Sequence, residues 1–125
     1  MSLVWTIDPE NYLMVAVADG DVTRADVENY LDAIIASQAL TYRKLFDASK
    51  GKTAMTADDL LPLGVRMRSF HSSGKMGPLA IVVAPGQGKR LVRTFGMLAV
   101  ADRPMQVFEQ AAQAYRWIEK QAKFT

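Results

Sequence analysis

Cysteine is absent from the 125 residues, which excludes disulfide staples, thiolate nucleophiles and zinc sites built on thiolates. Histidine occurs once, at His71, beside Ser72 and Ser73. Immediate neighbours in sequence are too local to act as nucleophile and base, so ordinary acid–base or nucleophilic catalysis has little to stand on. At a helix end, His71 is most simply a residue facing that helix's dipole. No apolar run approaches the length that a bilayer demands, and the start MSLVWTIDPENY has no basic region followed by an apolar core. Neither a transmembrane segment nor a secretory signal is therefore expected, and a cytoplasmic location follows as an expectation.

Acidic residues are missing from one long stretch. Between Leu60 and Ala101 there is no Asp or Glu, while Arg66, Arg68, Lys75, Lys89, Arg90 and Arg93 all fall there. Six positive charges on that segment leave nine basic and thirteen acidic residues elsewhere, so a net charge of only +2 hides a lopsided chain. Such asymmetry steers anionic ligands, acidic protein surfaces or anionic membranes, although solvated helix faces account for it equally well. The basic residues form no dense stripe with interleaved aromatics, so nucleic acid ranks third and is not expected as a partner.

What is present reads as one domain over 1–125, a usual length for a single core. Val4 to Asp8 and Tyr12 to Ala18 are runs of β-formers around the turn Asp8-Pro9-Glu10-Asn11, which predicts an antiparallel hairpin. After Asp19-Gly20-Asp21, Thr23 and Asp26 form a capping box for a helix burying Val27, Leu31, Ile34 and Ile35 and ending near Ser37. Tyr42 to Asp47 is a buried strand, followed by a loop through Gly51. A second helix starts at Thr56 or Asp59 and runs to His71; Pro62 favours Asp59, which would place it among N–H groups that lack partners anyway. Pro78 to Ala84, PLAIVVA, is a central parallel strand. A third helix carries Leu91, Val92, Phe95, Leu98 and Ala99, Met105 to Phe108 is a short strand, and a fourth helix from about Glu109 to Ala122 buries Ala111, Ala114, Tyr115 and Ile118. The fold class is therefore α/β: a mixed sheet of about five strands, an N-terminal antiparallel hairpin followed by parallel strands, with four helices.

This order, the LFDAS strand end, a helix nine residues after its Asp, and PLAIVVA resemble the STAS domain of anti-sigma-factor antagonists. GKMGPLAIVV, LVRTFGMLAVADRPMQVF and AYRWIE bring the chain nearer to the small stand-alone STAS-like proteins of bacteria, whose fold is related to the SEC14-like lipid-binding domain. The resemblance covers essentially the whole chain. It implies a regulatory protein rather than an enzyme, with a hydroxyl phosphorylated by a partner kinase at the helix start. Where the antagonists have Asp-Ser-Ser-Gly, this chain has Met55-Thr56-Ala57-Asp58, so the hydroxyl aligns while the Asp and Gly do not. Thr56 is also an ordinary helix cap, and Ser49 is a second hydroxyl at the strand end.

The residues also outline an anion-binding rim. Asp47 and Ala84 end neighbouring parallel strands where ligands of open α/β sheets bind, beside the helix start at Thr56 and Asp58. Gly86, Gly88, Lys89 and Arg90 form a turn whose backbone and cations suit a phosphate, without the spacing of a Walker A loop. Asp58 and Asp59 are better explained by the helix dipole than as paired catalytic carboxylates. No three ligands converge for a metal, and no cofactor is expected. Trp117 shares a helix face with Gln110, Gln113 and Gln121 and fits a partner surface or the edge of the core equally. Trp5 and Ile7, with Tyr12, Met14 and Ala16, make both sheet faces apolar, which leaves a face for a homodimer.

Three functions are open on this inventory: a non-enzymatic regulatory module that binds a protein partner near Thr56, a small domain for a lipid or anionic ligand, and an enzyme of unknown type. The first is the leading expectation.

Overall fold

The computed structural model describes residues 2–70, 76–86 and 104–123. Strands β1 (Leu3–Asp8) and β2 (Leu13–Asp21) pair antiparallel, as the turn chemistry predicts. Asp8 closes the turn by accepting from the Asn11 N–H at 3.3 Å and from Asn11 Nδ2 at 2.7 Å. Tyr12 follows at φ 50°, a left-handed conformation that returns the chain into β2.

The turn makes a pH prediction. Hydrogen bonds from the Asn11 side chain, then from its backbone, favour the ionised Asp8 and hold its carboxyl below the ordinary value. The turn contact is thus complete above the unfolded-state value and is lost as pH falls through the lower folded one. A carboxyl-carbon NMR titration should give Asp8 a midpoint below that of a free Asp, and Asn11→Ala should raise it back. An unshifted midpoint in the parent would remove the basis for the turn's acid sensitivity.

From β2 the chain passes through α1 (Arg24–Ala36), β3 (Arg43–Lys52), α2 (Ala57–Ser69), β4 (Leu79–Val82), β5 (Met105–Phe108) and α3 (Ala111–Lys120). The five strands lie in sequence order, β1-β2-β3-β4-β5, with every pair after the hairpin parallel. The expected mixed sheet is therefore present, and β4, the PLAIVVA strand, is internal. Three helices are described where four were expected; residues 91–99, expected to form the other helix, lie outside the described residues.

Strands stepping one way across a sheet through right-handed crossovers place their helices on one face. Accordingly α1 and α2 share a core with the hairpin: Val27, Tyr30, Leu31, Ile34, Leu63 and Phe70 pack with Leu3, Met14, Ala16 and Ala18. On the other face Leu45, Ala80 and Val82 pack against Ala114 and Ile118 of α3. Each wholly buried Leu, Ile or Met contributes about 1.5–3 kcal/mol, which is what fixes the strand register.

Several expected boundaries shift, each for a local reason. Strand β3 continues past Asp47, because a bulge lets pairing resume: Val17 faces Asp47, but Asp19 faces Lys50, leaving one extra residue in β3. The Asp19-Gly20-Asp21 stretch is consequently strand, with Gly20 at φ 89°, rather than turn. Helix α1 keeps its Thr23–Asp26 capping box but buries Tyr30 while Ile35 is exposed. In α3, Tyr115 points out, since the stripe resting on the sheet runs through Ala111, Ala114, Trp117 and Ile118.

Candidate functional site

The head of α2 is built by the chain before it. Thr53 Oγ1 donates to the Val22 carbonyl at 2.9 Å and accepts from the Met55 N–H at 3.1 Å, which ties this connection to the end of β2. Met55 packs on the core beneath. Thr56 then takes the N-cap position in extended backbone, φ −91° and ψ 174°. Asp59 Oδ2 reaches back to accept from the Thr56 N–H at 3.1 Å and from its hydroxyl at 3.3 Å.

Of the two predicted starts the structure has Thr56, not Asp59. Asp59 is drawn in as the third helical residue, closing a capping box, and Pro62 falls inside the helix. The missing Pro62 N–H leaves only the carbonyl of exposed Asp58 without its helical partner, in the first turn, where water can replace it. Thr56→Ala should cost about 1 kcal/mol through the cap, whereas Thr56→Asp should hold stability near the parent's. Chemical denaturation of the three proteins checks this, and equal loss in both variants would show that capping does not govern the site.

The far side of α2 fastens it to α1. Arg66 pairs with the Asp32 carboxylate, donates to the Glu28 carbonyl at 3.3 Å, and lies 5.8 Å from the Phe70 ring centre. With Leu63 and Phe70 buried, the opposite face of the helix is turned outward. Leu61 and Val65 on that face are 56% and 57% exposed. Sequence reading did not single them out. Their i, i+4 spacing, off the Leu63–Phe70 stripe, was the available signal.

Only part of the predicted rim falls among the described residues. Val17, Asp47, Val82 and Phe108 lie in one row across β2 to β5, so Asp47 is level with the last residues of β4 and β5, while its own strand continues to Lys52. Its Oδ1 accepts from the Ser49 N–H at 3.0 Å and from the Ser49 hydroxyl at 2.6 Å, filling the bulge. Ser49 is thus held by Asp47, and Thr56 is held by Asp59 within its own helix. Gly86, at φ 84°, donates its N–H to Glu109 Oε2 at 3.0 Å, so a carboxylate of the chain already occupies that donor. Asp58 is exposed on the first turn of α2. Gly88, Lys89 and Arg90 lie outside the described residues, as does His71.

Both tryptophans are half-buried. Trp117 leans on Phe108 with ring centres 5.8 Å apart and covers the edge of the α3 core. Trp5 meets Tyr30 edge-on at 5.8 Å, and Tyr30 meets Phe46 at 5.4 Å, so the Trp5 side of the sheet is covered by α1. On the opposite side of the hairpin, Val4 and Val17 pair across strands and are exposed.

Two buried cations were not singled out from the sequence. Lys44 donates to the Leu40 and Tyr42 carbonyls at 2.8 and 2.9 Å. Arg43 donates to the Asn11 carbonyl at 2.7 Å and to the Ile118 and Glu119 carbonyls at 3.3 Å, binding the hairpin turn to the negative end of α3. The signal was there in Tyr42-Arg43-Lys44-Leu45-Phe46, two cations inside a strand flanked on both sides. Among the described residues there is no group of three or more His, Cys, Asp or Glu placed to hold a metal, and no helix is long and apolar enough to cross a membrane.

The hairpin leading into parallel strands, with α1 and α2 on one face and the last helix on the other, defines a STAS-like fold. The sequence profile of SpoIIAA-like proteins matches residues 13–119, and the chain belongs to that family. Among solved structures, an uncharacterised DUF3478-family protein with a SpoIIAA-like fold from Shewanella loihica PV-4 is similar, with TM-score 0.64, 18% identity, and coverage of 94% of this chain and 93% of the other. An anti-sigma factor antagonist from Mycobacterium paratuberculosis is similar with TM-score 0.58, 13% identity, and coverage of 95% and 96%. At these identities the likeness is one of fold. No curated protein sequence matches the chain.

Proposed function

We propose that this protein is a non-catalytic regulatory module that binds a protein partner through the outward face of α2, the helix headed by Thr56. The observation that carries the reading is the pair Leu61 and Val65, more than half exposed at the middle of a helix whose other side is fastened to α1 through Arg66 and buries Leu63. Apolar side chains set singly on a surface need no explanation, but two on one helix face beside a modifiable hydroxyl form a docking stripe with a built-in address. Likeness in fold to an anti-sigma factor antagonist supports a protein partner over a small-molecule substrate. The Glu109 carboxylate on the Gly86 N–H weighs against an anion at that turn.

Phosphate on Thr56 would add about −1.5 to −2 charges beside Asp58 and Asp59 at neutral pH. The helix N-terminus favours that charge and the two carboxylates oppose it, so modification alters the binding surface more than the fold. Affinity enrichment from the source cells tests the reading, with the parent protein beside a Leu61→Asp, Val65→Asp double variant and a Tyr115→Asp control. A protein retained by the parent and the control, and lost from the double variant at unchanged melting temperature, is the expected result. Retention that ignores the α2 substitutions would overturn it.

A further inference from the structure

Asp58, Leu61, Val65 and Arg68 form one exposed line along α2, spaced by three, four and three residues, with exposed Pro62 beside it. That is the spacing of a two-helix seam. Read from either end, the stripe is chemically a mirror of itself: a charge, an apolar residue, an apolar residue, and the opposite charge, centred at the level of Leu63. A two-fold axis through that level, perpendicular to the helix, lays a second α2 antiparallel on the first. Leu61 then meets Val65 of the second copy, and Asp58 meets its Arg68, each contact occurring twice.

We propose that this stripe is a self-association surface, and that its occupant is a second copy of the chain paired antiparallel through α2. Charge selects the occupant and the direction. A parallel pair would set Asp58 on Asp58 and Arg68 on Arg68, whereas the antiparallel pair matches every charge. Neither residue has an ion-pair partner among the described residues, while the nearby charges of the same helix pair are committed, Arg24 to Glu28 and Arg66 to Asp32. The helix rises about 15 Å between positions 58 and 68, so the contact is far smaller than the roughly 800 Å² per partner of a stable dimer. Association is therefore weak, reversible and set by concentration. It covers the stripe assigned above to a regulatory partner, but it is read on the purified protein alone and does not rest on that assignment.

Sedimentation equilibrium and amide NMR shifts, followed from tens of micromolar to about 1 mM, measure it in the range where such contacts are populated. The expected result is a monomer–dimer equilibrium with shift changes centred on residues 58–68. Asp58→Arg and Arg68→Asp should each weaken the dimer about tenfold, because each puts like charges together twice. An equimolar mixture of the two variants should associate again, since a wholly positive pair of ends then meets a wholly negative one. Val65→Asp, at a position already exposed, should abolish association and leave the melting temperature unchanged. A protein that stays monomeric throughout, a dimer indifferent to these substitutions, or a mixture no stronger than its components would overturn the proposal.

Discussion

Gly77→Ala is expected to be the most damaging single substitution among the described residues. A Cβ at this position would lie 2.1 Å from the Tyr42 carbonyl oxygen and 2.4 Å from that of Thr41, far inside contact distance. Both obstacles are backbone atoms at the entry to β3, so no side-chain rotation relieves the clash. Moving them would pull on the Gly77 N–H bond to the Leu40 carbonyl at 3.0 Å and the Lys44 N–H bond to the Pro78 carbonyl at 2.8 Å, which set the β3–β4 register. A loss of roughly 3 kcal/mol or more is expected, a large share of the about 5–15 kcal/mol that holds a typical domain together. Thermal melts should show Gly77→Ala at least about 10 °C below the parent. Gly86→Ala is the control: its φ of 84° strains an alanine, but nothing lies within 4 Å, so about 1 kcal/mol is expected. Comparable losses at the two sites would show that close approach is not what requires Gly77.

Arg43→Met should be the second largest effect. Arg43 is only 5% exposed, and its guanidinium holds three carbonyls on two elements that are far apart in sequence, Asn11 in the hairpin turn and Ile118 and Glu119 in α3. Hydrogen bonds to a charged group contribute about 1.5–3 kcal/mol each, and removing a buried cation returns part of that. Its Nε is buried without a hydrogen-bond partner, which lowers the net gain further. A loss of about 2–4 kcal/mol remains, and it should be concentrated at one end of the molecule. Hydrogen exchange of the amides in the last turn of α3 should accelerate before that of β3 or β4. Arg43→Lys should rescue little, because one ammonium cannot span the geometry of a planar fork. Full rescue by lysine would show that charge alone, rather than the bridge, is required.

These two sites also show where sequence reasoning reaches and where it stops. The hairpin, the parallel strands and the internal place of β4 follow from patterns that act locally: turn residues, β-formers, a continuous apolar run. The Thr23–Asp26 box was legible for the same reason. Pro62, a single-residue preference, points to a start of α2 at Asp59, but the Asp59 carboxylate accepting from both the Thr56 N–H and its hydroxyl prevails, since it satisfies the backbone donor at the cap position. Gly77, Arg43 and the bulge at Asp47 depend on what another segment brings to them, and no periodicity records that. The site was legible in the same measure: Thr56 at a helix start could be placed, whereas Asp47, expected at a strand end, lies inside β3 because pairing with β2 resumes beyond it, and the exposure of Leu61 and Val65 follows from which side of α2 Arg66 and Leu63 turn inward.

The central claim is that the outward face of α2 meets a protein partner. Photo-reactive residues placed at positions 61, 65 and 115 of the full chain, irradiated in the source cells, test it most directly. The account expects positions 61 and 65 to form an adduct with one and the same different protein, position 115 to form none with it, and Thr56→Asp to change the yield. Adducts formed equally from position 115, or none with any different protein from positions 61 and 65, would contradict it.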